Sequence, residues 1–354
     1  MTSLPLHTRY VTGLQAVTPG ASAYLQPDGH YGLNNAGVFW TPQGAVLVDT
    51  AFDVPRARHI AQAVLHSGRD HSQIAALILT HDHGDHSFGA CAIPTPRVIM
   101  SSTAATALRE AAAGTRVRYG SLHGAGREMM ETLLADKFDF TEVKYRAPTE
   151  TFQGEARFGF GATTLRVIEF QNLHTASDSI VVDEEQHVAV MGDLMFADSH
   201  IPMFMPRSRH WSAAMDQVLA MDLEHFIPGH GRLCSRDDVR AHRDYLLWIY
   251  DEAERRFRRG MPVSAAADDL VMHLGPYAHY QRADVLINSL DTLYREISPD
   301  HPRSSFNEHL AQRWHFRMRW RGKLPGLTDP LPLNTRLGGF RTLSEMNMLG
   351  AGTE

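Results

Sequence analysis

The stretch Ile74-Ala75-Ala76-Leu77-Ile78-Leu79-Thr80-His81-Asp82-His83-Gly84-Asp85-His86 decides how this chain folds and where its chemistry sits. An uninterrupted apolar run reads as a buried strand. At Thr80 it gives way to a loop holding three histidines and two aspartates. Imidazoles and carboxylates crowded at the end of a buried strand repel one another or stay poorly solvated unless a cation joins them. A solvated histidine-rich turn would need no apolar strand leading into it. An isolated HxH is a weak signal, whereas HxHxDH directly after such a strand is a strong one. The expectation is a metal site.

One loop supplies too few ligands, so further candidates should follow later strands. Three do. His174 comes after the apolar run at 163–170, Asp193 follows the strand at 187–191 and Gly192, and His230 stands in Ile227-Pro228-Gly229-His230-Gly231. Each is a metal-binding residue type at a strand end, where a layered scaffold presents functional groups.

Working outward, short strands with turns are expected at 22–26, 37–41 and 45–48, the last ending at Asp49. Helical spacing covers 54–67, with Asp53 as its cap. A strand at 97–100 and an alanine-rich helix over 102–113 follow. Residues 114–150 are polar and glycine-punctuated, with one helix near 126–136. Strands resume at 163–170, 179–183 and 187–191, then a helix near 211–220 leads to a strand at 225–227. After Gly231 the pattern is helical over 235–259, 263–273, 280–296 and 306–320. The last 33 residues, with Pro325, Pro330 and Pro332, read as an extended arm.

Taken together, these motifs resemble the metallo-β-lactamase-fold hydrolases. The chain matches their HxHxDH run, a later His-Thr (His174-Thr175), a Gly-Asp after a strand (Gly192-Asp193) and a closing Pro-Gly-His-Gly, in that order across roughly residues 20–232. The strand ending Leu47-Val48-Asp49-Thr50 resembles the family's entry motif. The resemblance implies an α/β chain, an αββα metallo-β-lactamase sandwich with a C-terminal helical extension and an extended C-terminal arm. Its parts are a catalytic domain at 1–232, the extension at 233–321 and the arm at 322–354. It also implies that one metal takes His81, His83 and His174, that a second takes Asp85, His86 and His230, and that Asp193 bridges both. Imidazole nitrogen suits zinc, with iron or manganese as other candidates, and a shared carboxylate lowers the repulsion between two ions. Such ions, ~3.5–4 Å apart, lower the pKa of a shared water towards ~7. The metal-bound hydroxide is the expected nucleophile. Asp85 and Asp193 are the protein groups assigned to catalysis beside that water, Asp85 as a ligand and not necessarily a base. Asp49 and Thr80 are expected to orient ligands from behind. Where family members usually carry Gly-His-Thr, this chain has Leu173 before His174.

At 354 residues, with 43% hydrophobic and 21% charged residues, the chain has the composition of a globular enzyme. A net charge of −6 gives no general attraction to nucleic acid or anionic membrane. The two cysteines, Cys91 and Cys234, build neither a disulfide framework nor a CxxC knuckle. Without a basic n-region and apolar h-region, or a run of ~18 apolar residues, neither secretion nor membrane spanning is expected. The expectation is a cytoplasmic protein acting on a small-molecule substrate, with no nucleic-acid or membrane partner, as a homodimer.

Other features admit two readings. Phe196, His200, Met203, Phe204 and Trp211 could line an apolar substrate pocket or pack beneath the C-terminal helices. Cys91 reads better as a small buried apolar residue than as a nucleophile. The stretches Arg255-Arg256-Phe257-Arg258-Arg259 and Arg313–Arg321 interleave arginine with aromatics, but on helices of an acidic chain they read as charged faces. The leading functional expectation is a dinuclear metal-dependent hydrolase attacking an ester, thioester, lactone or similar electrophile. The metal set is most similar to the glyoxalase II-like and lactonase-like members. The alternatives are a mononuclear iron enzyme resembling persulfide dioxygenases, and a non-catalytic metal-binding interaction module.

Overall fold

The computed structural model describes residues 11–26, 31–69, 73–134, 137–325, 327, 343–346 and 348–349. The first sheet contains β1 (Gly13–Thr18), β2 (Ala21–Leu25), β3 (Ala36–Thr41), β4 (Gly44–Val48), β5 (Ile74–Ile78), β6 (Val98–Ser101) and β7 (Glu150–Phe152), side by side in sequence order. The strands β1 to β4 form an antiparallel meander, and β4 to β7 run parallel. The second sheet is β8 (Glu155–Phe160), β9 (Thr163–Gln171), β10 (Ser177–Asp183), β11 (Val188–Phe196), β12 (His225–His230) and β13 (Cys234–Ser235), with β11 and β12 parallel.

Side-chain alternation stacks these sheets. In β4, Val46 and Val48 lie between the sheets with Val181, Val188 and Val190, whereas Ala45 and Leu47 face outward. On that outer face they meet Ala57, Ile60 and Val64 of α1 (Val54–Leu65) and Ala104 and Leu108 of α3 (Ser102–Gly120). In β10, Val181 faces inward while Ile180 and Val182 face the helices beyond the second sheet. Those helices are α5 (Ser208–Leu219), α6 (Arg236–Arg258), α7 (Val263–Leu270) and α8 (Leu286–Ile297), whose apolar faces join one cluster with the sheet. Burying each Leu or Ile of that cluster contributes roughly 1.5–3 kcal/mol. The result is the α/β sandwich of helix, sheet, sheet and helix, followed by C-terminal helices.

Local chemistry sets the helix starts. Asp53 caps α1, its carboxylate accepting from Arg56 N at 3.0 Å, as the sequence predicts. Capping boxes open α6 at Ser235 and Asp238, and α9 (Phe306–Trp320) at Ser305 and Glu308.

Several boundaries differ from expectation. The strands β1, β7, β8 and β13 went unanticipated, although β8 alternates, with Glu155 and Arg157 exposed and Phe160 buried. The helix expected over 102–113 runs on to Gly120, and α4 (Gly124–Leu134) follows it. The helix expected from 280 begins only at Leu286, because Arg282 takes left-handed backbone and a 3-10 turn, Ala283–Val285, intervenes. Most of the expected arm at 322–354 lies outside the described residues. Its described pieces fold back on this chain: Leu343, Met346 and Met348 pack with Met129, Met130 and Leu134, and Tyr145 N donates to Met348 O at 2.8 Å.

Candidate metal centre

The strand ends gather the site on one edge of the sandwich. Asp49 follows β4, and the run Thr80–His86 follows β5 and winds into the single turn α2 (Gly84–Ser87). His174 lies between β9 and β10, Asp193 lies within β11, and His230 ends β12. His81, His86, His174, Asp193 and His230 are each buried, and the Asp85 side chain is 17% exposed.

Their ligand atoms form two sets. One comprises His81, His83, His174 and Asp193, and the other comprises Asp85, His86 and His230; within each set the atoms lie no more than 4.8 Å apart. The carboxylate of Asp193 stands between them. Its Oδ2 is 3.2 Å from His174 Nε2 and 3.9 Å from His81 Nε2, and its Oδ1 is 3.1 Å from His86 Nε2 and 3.4 Å from His230 Nε2. His83 Nδ1 faces His174 Nε2 at 3.1 Å, and Asp85 Oδ2 lies 3.3 Å from His230 Nε2. His81 also falls in a third group with Asp49 and His86, so the distances bring the seven residues together without assigning each to one ion.

Hydrogen bonding behind the ligands fixes the tautomer of two rings. Asp49 Oδ1 accepts from Thr80 N and its Oδ2 accepts from Thr80 Oγ1, both at 2.8 Å. The Thr80 hydroxyl has one proton and gives it to Asp49, so at 2.9 Å it accepts from His81 Nδ1. His86 Nδ1 donates directly to Asp49 Oδ2 at 2.8 Å. Both Nε2 atoms are thereby turned inward, and each is buried without a hydrogen-bond partner, as is Asp193 Oδ1. Buried polar atoms left bare at a common point are what a cation would satisfy.

The protonation balance agrees. Burial and the neighbouring His86 and His83 push His81 well below the ordinary imidazole range, and burial with His174 brings His83 to about 4. Both are neutral donors at physiological pH. Burial alone would raise Asp85, but His86 and His230 pull it down to about 2. Burial opposes the charge on His86, yet Asp193, Asp49 and Asp85 hold its pKa well above normal. Such carboxylates need positive charge, and a divalent ion supplies it in place of protons.

Two glycines make room. Gly192 has φ +51°, and a Cβ there would come 2.7 Å from Thr80 Oγ1. A Cβ on Gly229 would collide with Asp193 Oδ1. Leu173, where family members usually carry glycine, is buried in the apolar cluster behind the second sheet and leaves His174 in place.

Sequence reasoning missed Asp178 and Asn35. The Asp178 carboxylate accepts from His174 N at 3.0 Å and from Thr175 N and Oγ1, pinning the turn that presents His174. Burial lifts its pKa to about 6 against those donors. Asn35 Nδ2 donates to Pro228 O at 2.9 Å and Gly231 O at 2.8 Å, clamping the His230 loop. The only sequence signals were a carboxylate four residues after His174 and the Asn34-Asn35 pair.

The five candidate pocket residues separate. Phe196, His200, Met203 and Trp211 are buried in the helix-side core. Phe196 stacks on His230 with ring centres 5.3 Å apart, Trp211 meets His174 edge-on at 5.8 Å, and His200 Nδ1 bonds Tyr245 Oη at 3.0 Å. Only Phe204 of the five is exposed, at 50%, standing 5.2 Å from the His83 ring and 5.3 Å from His174. The basic stretches are paired: Arg256 with Glu252 and Asp269, Arg313 and Arg317 with Asp284, and Arg319 with Asp268.

The chain belongs to the metallo-beta-lactamase superfamily, whose family model matches residues 31–230. A linear primary-alkylsulfatase from Pseudomonas sp. (strain ATCC 19151) is 24% identical over 275 residues, covering 68% of this chain and 51% of the relative. A stereoselective inverting sec-alkylsulfatase from Pseudomonas sp. is similar in structure, with a TM-score of 0.64, 17% identity, and coverage of 81% of this chain and 50% of that one. A beta-lactamase domain protein from Burkholderia ambifaria matches with a TM-score of 0.59 and 14% identity, over 82% of this chain and 89% of its own. The chain spans about half the length of both alkylsulfatases. At these identities the structural likeness is one of fold. No helix among the described residues is long and apolar enough to cross a membrane.

Proposed function

We propose that this chain is a hydrolase that uses two divalent metal ions, zinc by the chemistry of its donors, to cleave an ester-type bond in a small molecule. The observation that carries this reading is the position of Asp193, whose two carboxylate oxygens each face a separate imidazole set. His81, His83 and His174 would hold one ion, Asp85, His86 and His230 the other, and Asp193 would join them. Bound there, the ions supply Lewis acidity and an activated water at neutral pH.

The chain's own residues do the rest. Asp49 and Thr80 aim the inward nitrogens of His81 and His86 at the ligand side. Phe196 and Trp211 pack against ligand rings and fix their planes. Phe204 gives an arriving substrate an apolar surface beside His83 and His174. The substrates expected from sequence are esters, thioesters and lactones, and the names of the relatives add alkyl sulfates.

The test is a zinc-loaded preparation assayed on p-nitrophenyl acetate, a γ-lactone, an acyl thioester and a primary alkyl sulfate. Turnover of at least one, abolished by a chelator and restored by zinc, is the expected result. Failure on all four, with the metal retained, would refute this reading.

A further inference from the structure

Arg282 has no role in holding the fold or the ligands described so far, yet it is only 8% exposed. Its backbone is left-handed, at φ 62° and ψ 38°, a region that residues other than glycine enter at an energetic cost and that clusters at functional sites. The segment is stapled to the chain leaving β11 just beyond Asp193. Gln281 N donates to Asp198 O, His200 N donates to Gln281 O, both at 2.9 Å, and Ser199 pairs with Gln281 as a parallel bridge.

The guanidinium sits among charges without being claimed by any. Burial and the nearby Arg313 work against its charge, while the carboxylates of Asp284, Asp193 and Asp85 favour it. Asp284 is already occupied, since its Oδ2 takes Arg313 Nε at 2.8 Å and lies 3.4 Å from an Arg317 nitrogen. Arg282 makes no side-chain hydrogen bond or ion pair among the described residues. A planar cation with five donors and no protein acceptor, its nitrogens absent from the fully buried unpaired atoms, is open to an acceptor that arrives from outside. Asp193 and Asp85 will not serve in the loaded protein, because they are the carboxylates assigned to the metals. A structural role as the counter-ion of Asp284 would duplicate two arginines already there. The chemistry that fits is an external oxyanion gripped by the guanidinium fork.

We propose that Arg282 binds an anionic group of the substrate, a sulfate or a carboxylate, and makes this site selective for anionic esters. This rests on the hydrolase reading above for its substrate, but not for its binding. The test uses the metal-loaded full chain and two variants, R282Q and R282N; asparagine tolerates left-handed backbone and keeps the experiment usable if glutamine does not fold. Calorimetric titration with inorganic sulfate should show binding to the unaltered chain and at least ~10-fold weaker binding to a folded variant. In turnover, kcat/KM for the anionic p-nitrophenyl hemisuccinate should fall at least ~10-fold, while that for neutral p-nitrophenyl butyrate stays within ~2-fold. Sulfate binding that is absent from the unaltered chain, or unchanged in a folded variant, would overturn the proposal, as would equal losses on both esters. If the unaltered chain cleaves neither ester, it is the hydrolase reading that suffers, and the sulfate titration alone decides the role of Arg282.

Discussion

Two groups of buried histidines behave differently in this molecule. In the metal centre, His81, His86, His174 and His230 are at most 3% exposed, and their nitrogens converge on Asp193. Under the C-terminal helices, His200 and His242 are at most 4% exposed, and each likewise has a buried Nε2 without a partner. Burial and a bare nitrogen are therefore common to both. What separates them is company: His200 bonds a tyrosine hydroxyl and His242 lies edge-on to the Trp211 ring. Neither is ion-paired to a carboxylate among the described residues. Burial accordingly drives their pKa values down to about 3 and about 4, whereas Asp193, Asp49 and Asp85 hold His86 up. A cation site is made by convergence with carboxylates, not by burial.

The sharpest way to break that contrast is at the shared carboxylate. Asp193→Asn keeps the shape but removes the charge both imidazole sets face, and turnover should fall ~10³-fold or more with loss of bound metal. Metal content and kcat measured on the same folded sample check this. A smaller effect is expected behind the ligands. Asp49→Asn leaves all seven ligand residues present but frees the Thr80 hydroxyl and His86, so metal affinity should weaken ~10–100-fold, read by competition with a chelator. The mildest effect lies in the other group. His200 and His242 stay neutral in the folded chain while the unfolded chain protonates them below its ordinary pKa of 6.5. The unfolded state then binds more protons, so stability is full above about pH 6.5 and is lost as the pH falls towards about 4. Replacing His242 with Phe should flatten that acid slope by about one proton, measured by chemical denaturation across the window.

How legible all this was depended on whether the signal was local. His81, His83, Asp85 and His86 lie within one run, and the uninterrupted apolar stretch before it places them at a strand end. His174, Asp193 and His230 were picked out because each follows an apolar strand, even though their contacts with the first run span about 90 to 145 residues. Asp178 acts through the backbone of its own turn and Asn35 through that of a distant loop, and no residue type announces either role. The aromatic and Met residues near 196–211 have the same composition whether they pack or line a pocket, so only the structure could single out Phe204. Arg282 was hidden for a different reason: its neighbours carry helical spacing, and the left-handed turn that aims it comes from the staple to Asp198 and His200. The edge strands β1 and β7 carry polar residues on both faces, whereas β8 alternates over only six residues, with Ala156, Phe158 and Phe160 on its inner face.

The account stands or falls on counting metal atoms against protein. Folded, full-length chain loaded with zinc and dialysed free of excess should retain two ions per molecule by elemental analysis. Retention of none, or of a single ion under conditions that saturate the protein, would contradict the two facing sets of ligands and the bridging place given to Asp193.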